Sequence, residues 1–504
     1  MSKKFKPVSI LVVFSLAFTC FVLFFALNGR FREISIYRKS TYSVPRTLEP
    51  SSILSTADAA IADLIFEGLV RINDSLEVEP SLARSWSVSD DGTKYSFVLD
   101  TSVLFHDGSN LSVEDVIYSL KKLFSESSSA SFFSEHIKNI RRVSDDSFDI
   151  ELIAPFPPFL SFLAAPVAKI AKRSYQPYSL GTGAFQFVRL DVSKQKLVLY
   201  LKRFGQFHGK QPFIREMEIH EMSESQAIEG VKTGFVHDTT LIPMKSGYAK
   251  SIDKIRQITA PASVTWILAL NTSKPPTADH EFRKCLTLAF KREEFVNLFL
   301  PDHTPAHGFI PPGLLGYSNV PDSIPNNPDS CSRYSGTKVR VDYPDALTQG
   351  AAMCGHFAKS FAIFGIETEC SALAFDSLLE RIKSAKADIS FLSQTLDLPD
   401  TDYFVSMFES NSALNFSNLR SPAYDVLMKQ VRREPDRRIR SEIYKKINFF
   451  ISNENLTINI SYPQHVSYRH RCVDNLFVNF FGESFINYKD VRLKLFCLDR
   501  EWFR

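Results

Sequence analysis

Twenty consecutive residues, Val8 to Leu27, carry no charge and only three polar side chains, Ser9, Ser15 and Thr19. As a helix rising 1.5 Å per residue, such a run is about 30 Å long, the thickness of a bilayer's hydrocarbon core. Lys3, Lys4 and Lys6 precede it, the basic start that a secretion signal shares with a signal anchor. The chain is therefore expected to leave the cytoplasm; a buried soluble helix is the structural alternative. Ala26-Leu27-Asn28 makes a poor cleavage site, which favours a retained anchor, and Cys20 follows Ala17-Phe18-Thr19 in mid-run, a poor setting for lipidation. Arg30, Arg32, Arg38 and Lys39 lie beyond the run, so charge bias alone leaves its orientation open.

The chain has 504 residues and a formal charge of +3. Setting aside Lys3, Lys4, Lys6 and Arg30 leaves 55 basic against 56 acidic residues, so the body has no electrostatic case for binding nucleic acid. With 44% hydrophobic residues it should bury a core and form two or three domains. Cys285, Cys331, Cys354, Cys370, Cys472 and Cys497 allow fifteen pairings or scattered buried thiols, and none has the CxxC or Cys/His spacing of a metal site.

Residues 31–44 read as a polar, basic tether, with the folded body starting at Val44-Pro45. A helix is expected from about Ala57 to Glu67, capped by Ser55 or Thr56 and stopped by Gly68. Tyr95 to Leu99, Phe148 to Leu152, and Leu197, Leu199 and Leu201 show the two-residue period of half-buried strands. Ser112-Val113-Glu114-Asp115 opens a helix with Val116, Ile117, Leu120 and Phe124 on one stripe. The apolar spacing over 282–299 predicts one longer helix, 311–335 a loop, and 437–451 another helix. This mixture, without a fixed repeat, indicates a multi-lobed α/β or α+β protein.

Catalytic signatures fail on inspection: there is no GxSxG elbow, HExxH helix or Walker loop. His303 and His307 have helical metal-pair spacing, but Pro301 and Pro305 forbid an ordinary helix. Gly181-Thr182-Gly183 reads as a tight turn entering a strand, and Arg432 to Arg438 as a solvated corner between helices. No residue pattern supports an enzyme, a metal site or a cofactor.

Several blocks nevertheless occur in a telling order. Leu48-Glu49-Pro50 is followed by Ile65-Phe66-Glu67-Gly68-Leu69-Val70, Pro80-Ser81-Leu82-Ala83-Arg84-Ser85-Trp86 and Asp90-Asp91-Gly92-Thr93-Lys94-Tyr95-Ser96-Phe97. Then come Phe105-His106-Asp107-Gly108 with Val113-Glu114-Asp115-Val116, Pro155-Phe156-Pro157-Pro158-Phe159, Gly181-Thr182-Gly183, Leu270-Asn271-Thr272-Ser273 and Pro305-Ala306-His307-Gly308. Over about Leu48 to Gly482 the chain resembles the extracellular solute-binding proteins of bacterial oligopeptide and dipeptide ABC transporters, the family-five group. The resemblance implies a three-lobed α/β fold of the periplasmic binding protein type. Residues 45–68, 184–269 and 481–504 would form the first lobe, 69–183 an inserted second lobe, and 270–480 an opposing third lobe. Residues 1–30 would be a signal or membrane anchor, and the body would work on the outer, periplasmic face of the cytoplasmic membrane.

In such proteins an extended peptide pairs its main chain with strands of both lobes, and a buried carboxylate holds its α-ammonium group. The family pattern of Ala-Asp-Tyr before a Pro/Asp-rich turn aligns with Leu396-Asp397-Leu398-Pro399-Asp400, so the resemblance makes Asp397 the anchor; a turn aspartate beside Pro399 is the plainer reading. Ser393, Gln394, Thr395 and Leu396 would supply pairing from one lobe, Ile53 to Thr56, including Ser55, from the other, and Asn271 would lie near hinge and cleft. Leu398 stands where tyrosine is common and Gln394 where many relatives place an aromatic, which alters pocket chemistry. The implied partners are a peptide, a permease and its ATPase, with the binding protein itself a monomer. The alternatives are another solute, such as a cell-wall peptide, nickel chelate or haem, or a membrane-anchored sensor that lost transport.

Overall fold

A computed structural model describes residues 31–494 of the protein, apart from 33, 54, 74–76, 127–135, 174–179, 194–196, 242–254, 348, 396–399, 413–414, 478–479 and 481–486. The apolar run Val8–Leu27 lies outside these residues. Among the described residues no helix is long and apolar enough to cross a membrane.

The segment expected to be a tether is instead a strand. Ile34–Thr41 lies inside a seven-stranded mixed sheet, parallel to Ile214–Glu221 on one side and to Asp238–Leu241 on the other. Its basic look misled because Tyr37 and Lys39 are turned into the protein, Lys39 lying 3.7 Å from the carboxylate of Asp238. Leu197–Arg203 and Phe185–Val192 extend this sheet at one end, and Gln464–His470 and Ile255–Pro261 at the other.

A six-stranded mixed sheet runs in the order Thr304–Pro305, Thr457–Tyr462, Val264–Leu270, Ile389–Thr395, Lys338–Pro344, Glu367–Leu373. Every residue of Val264–Leu270 and Thr457–Tyr462 is buried, as expected of central strands covered on both faces. The chain passes between the two large sheets twice, at Ala262-Ser263 and at Pro463. The passages lie side by side, with the Ala262 N–H donating to the Pro463 carbonyl at 3.0 Å. Across these crossings Val264–Leu270 lies in the six-stranded sheet and Gln464–His470 in the seven-stranded one.

Ala83–Val88, Lys94–Leu99, Ser147–Leu152 and Ile137–Arg142 form a separate antiparallel sheet, with Phe97 stacked on Phe148 at 5.3 Å between ring centroids. The helix Val113–Glu126 buries Val113, Val116 and Leu120 in the same core. Its start is held by Ser112, whose Oγ accepts from the Asp115 N–H at 3.2 Å.

The single helix expected over 282–299 is two, His280–Ala289 and Arg292–Phe299. Phe290 takes an extended conformation, burying its ring at 5.4 Å from Phe295 and 5.6 Å from Phe357. Two disulfides, Cys285–Cys331 and Cys354–Cys370, staple this part of the chain, and Cys472 is also disulfide-bonded. Such cross-links persist in oxidising compartments. Arg432 is not at a solvated corner: its guanidinium forks onto Asp402, which is fully buried, and onto Glu409, with N to O distances of 2.7–3.1 Å.

Candidate functional site

The strand Ile389–Thr395 carries most of the residues expected to meet a ligand. One side is fully paired, from Ile389 opposite Leu270 to Thr395 opposite Val264. On the other side Lys338–Pro344 pairs only with Ile389 and Ser390. Within the described registers, the outer main-chain edge from Phe391 to Thr395 has no strand beside it. Thr395 faces Val264, one residue beyond the crossing at Ser263, so this edge ends where the two large sheets meet. Ser393 is exposed and Gln394 half-buried, whereas Phe391 packs edge-on against Trp266 at 5.5 Å. Leu396 and Asp397 lie outside the described residues.

The remaining expected residues are placed elsewhere. Ser55 caps the helix Thr56–Ile65, its hydroxyl accepting from the Asp58 N–H at 3.1 Å and its carbonyl from the Ala59 N–H at 3.0 Å. Ser55, itself extended, and Thr56 thus stand at the start of a helix. Asn271 is 2% exposed and lies at the far end of Val264–Leu270, roughly 25 Å of strand from the crossing. Its amide donates to the carbonyls of Ala385 and Ala387, and its oxygen accepts from Ser273 N–H and Oγ–H, so it braces its own lobe.

A second convergence was not legible as a site. Three ordered blocks, at Ile65–Gly68, Phe105–Gly108 and Gly181–Gly183, meet in space. Glu67 accepts from the Thr182 hydroxyl at 2.9 Å and bonds His208 Nε2 at 2.8 Å; His106 Nε2 lies 3.0 Å from the Gly183 carbonyl. A Cβ on Gly181 would fall 2.0 Å from the Ile65 carbonyl oxygen, and one on Gly183 2.6 Å from it, so only glycine lets these backbones touch. The bond to Glu67 raises the His208 pKa, whereas burial lowers that of His106. Next to Glu67 opens a cavity of about 280 Å³, walled by Leu64, Phe66, Ile72 and Phe207 and reached by Lys489. Among the described residues no cluster of three His, Cys, Asp or Glu side chains could hold a metal ion.

Two α/β bodies on mixed sheets, joined by two adjacent passages of chain, with a further sheet inserted in one of them, define a periplasmic binding protein fold. Residues 77–416 match the bacterial extracellular solute-binding proteins, family 5 Middle, and the chain belongs to this family. Among its relatives are Di/tripeptide-binding protein 4 of Pseudomonas aeruginosa, 24% identical over 84% of this chain and 88% of that one, and Heme-binding protein A of Haemophilus influenzae, 21% identical over 82% and 84%. Among solved structures, HbpA2 from Haemophilus parasuis matches with a TM-score of 0.82 and 18% identity, covering 92% of this chain and 100% of that one.

Proposed function

We propose that the protein is the peptide-capturing component of an ABC transporter, taking short extended peptides between its two large sheets and delivering them to a permease driven by its ATPase. The outer edge of Phe391–Thr395, which has no strand beside it within the described registers, carries the reading. A strand edge at the junction of two bodies suits a ligand's main chain, which all peptides share. Asp397, two residues beyond that edge, would neutralise the α-ammonium group, since an unpaired charge in a closing cleft is costly. The paired passages at Ala262-Ser263 and Pro463 would act as the hinge. The apolar run Val8–Leu27 would export the monomeric body and tether it to the outer face of the membrane.

Asp397→Ala is expected to weaken binding of free-amine peptides strongly in calorimetric titration while leaving binding of their N-acetylated forms unchanged. Equal affinity of the unaltered protein for acetylated and free peptides would rule out the anchor. A relative named for haem keeps a second solute class in view. Native mass spectrometry of the protein purified without refolding separates the two: a population of short peptides supports the first reading, a single small metabolite the second.

A further inference from the structure

The cavity beside Glu67 presents one cation that forms no ion pair among the described residues. Its walls present the acids Asp63, Glu67 and Glu79 and the cations Arg71, Lys169 and Lys489. Lys169 bonds Asp63 at 2.9 Å, Arg71 bonds Glu79 at 2.8 Å, and Glu67 is engaged by His208 and Thr182. The acid next in sequence, Asp490, is held by Lys210 and by the Asn487 amide. Among the described residues each of these carboxylates has a partner, and the Lys489 ammonium lies 5.4 Å from the Phe207 ring. Burial is the main cause that lowers the Lys489 pKa, helped by the charges of Arg71 and Lys169, while the charges of Glu67 and Asp490 act the other way without forming an ion pair with it. Leu64, Phe66, Ile72 and Phe207 add apolar surface to the wall.

From this accounting we infer that the cavity is a second ligand site, separate from the peptide cleft, which takes a small monocarboxylate with an apolar body. The carboxylate pairs with the Lys489 ammonium, and the apolar body lies against Phe66 and Phe207. A ligand site at a junction between lobes is the usual location for one, and this junction joins the helix Thr56–Ile65 to the hairpin of Val70–Ile72 and Val78–Pro80. The inference does not depend on the peptide reading, because no residue of Ile389–Thr395 lines the cavity.

The probe is benzoate, with neutral benzamide as its isostere, observed by broadening of the ligand's proton resonances on adding the full chain in detergent. Benzoate should bind and benzamide should not. Lys489→Met, which breaks no ion pair, should weaken benzoate about tenfold or more, the scale of a charge-assisted hydrogen bond. A saturating free-amine peptide should leave benzoate in place. Equal binding of benzamide, undiminished binding to the Lys489→Met protein, or displacement of benzoate by peptide would each overturn the assignment. The benzamide comparison uses the unaltered protein and so stands even if the variant folds poorly. A failure of benzoate leaves peptide binding untouched, and a failure of peptide binding leaves benzoate untouched.

Discussion

Acid should unfold this protein through three histidines buried without charge. His237 is 2% exposed, accepts the Arg38 N–H on Nδ1 at 2.9 Å and stacks on Tyr37; burial is the main cause that lowers its pKa to about 3, and the charge of Arg38 and His470 adds to it. His303, against Trp266 and 2.9 Å from the Ser461 hydroxyl, and His465, whose Nε2 has no hydrogen-bond partner among the described residues, are lowered to about 4 by burial, with a bond to the Phe480 main chain opposing it at His465. An unfolded histidine titrates near 6.5. Above that value neither state binds the proton and stability is complete. As the pH falls from about 6.5 towards 4, the unfolded chain takes up protons that the folded chain refuses, and stability is lost. At about pH 5 each histidine costs about 2 kcal/mol, and the three together about 6 kcal/mol, comparable to the whole stability of many domains. His208 works the other way: its raised pKa gives a contribution that is full below about 6.5 and lost as the pH rises through its folded value, so it offsets part of the loss. Urea unfolding followed by tryptophan fluorescence, at about pH 7.5 and about pH 5, measures the difference. His303→Gln and His465→Gln should each flatten the pH dependence by about 2 kcal/mol over that interval, whatever they do to stability at neutral pH. Equal unfolding midpoints at the two pH values, or an unchanged slope in both variants, would refute the reasoning.

Removing Arg432 should be among the most damaging single changes outside the cleft, because Asp402 is left charged and buried. Arg432→Met is expected to cost about 3–5 kcal/mol in denaturant unfolding, and adding Asp402→Asn should restore much of it. Gly181→Ala, forced against the Ile65 carbonyl, should cost about 1–3 kcal/mol, whereas Gly205→Ala, with nothing within 4 Å of the added carbon, should be near neutral; thermal melting of the pair tests this. Replacing both cysteines of the Cys354–Cys370 bridge by alanine should lose about 3 kcal/mol, and of Cys285–Cys331 about 4 kcal/mol, following their sequence separations of 16 and 46; equal losses would speak against the loop-closure account.

Local pattern carried far where one face of an element is buried. The alternation in Lys94–Leu99 and the stripe of Val113–Glu126 appear in the structure near their expected bounds, whereas Ser147–Leu152 forms the expected strand but buries Asp149 along with Phe148 and Ile150. Pattern failed where charge was mistaken for exposure. Ile34–Thr41 reads as a basic tether because nothing in its own residues shows that Asp238, some two hundred positions away, will meet Lys39. Arg432 reads as one of a solvated cluster for the same reason, its partners Asp402 and Glu409 lying on other elements. Asn271 lies in one of the ordered blocks, and its amide bonds to the Ala385 and Ala387 carbonyls are contacts that the motif alone does not show.

By itself, then, the sequence determined the family, the mixed α/β class and the presence of a membrane-length apolar run, because these rest on local spacing and on ordered blocks along one chain. The tertiary structure alone decided where the chain crosses between its two bodies, which cysteines pair, and which of the acids near Glu67 have cations of their own. Those are properties of contacts between residues far apart in sequence. The placing of Lys489 belongs with them: a lysine beside an aspartate looks paired in sequence, and only the fold gives that aspartate to Lys210.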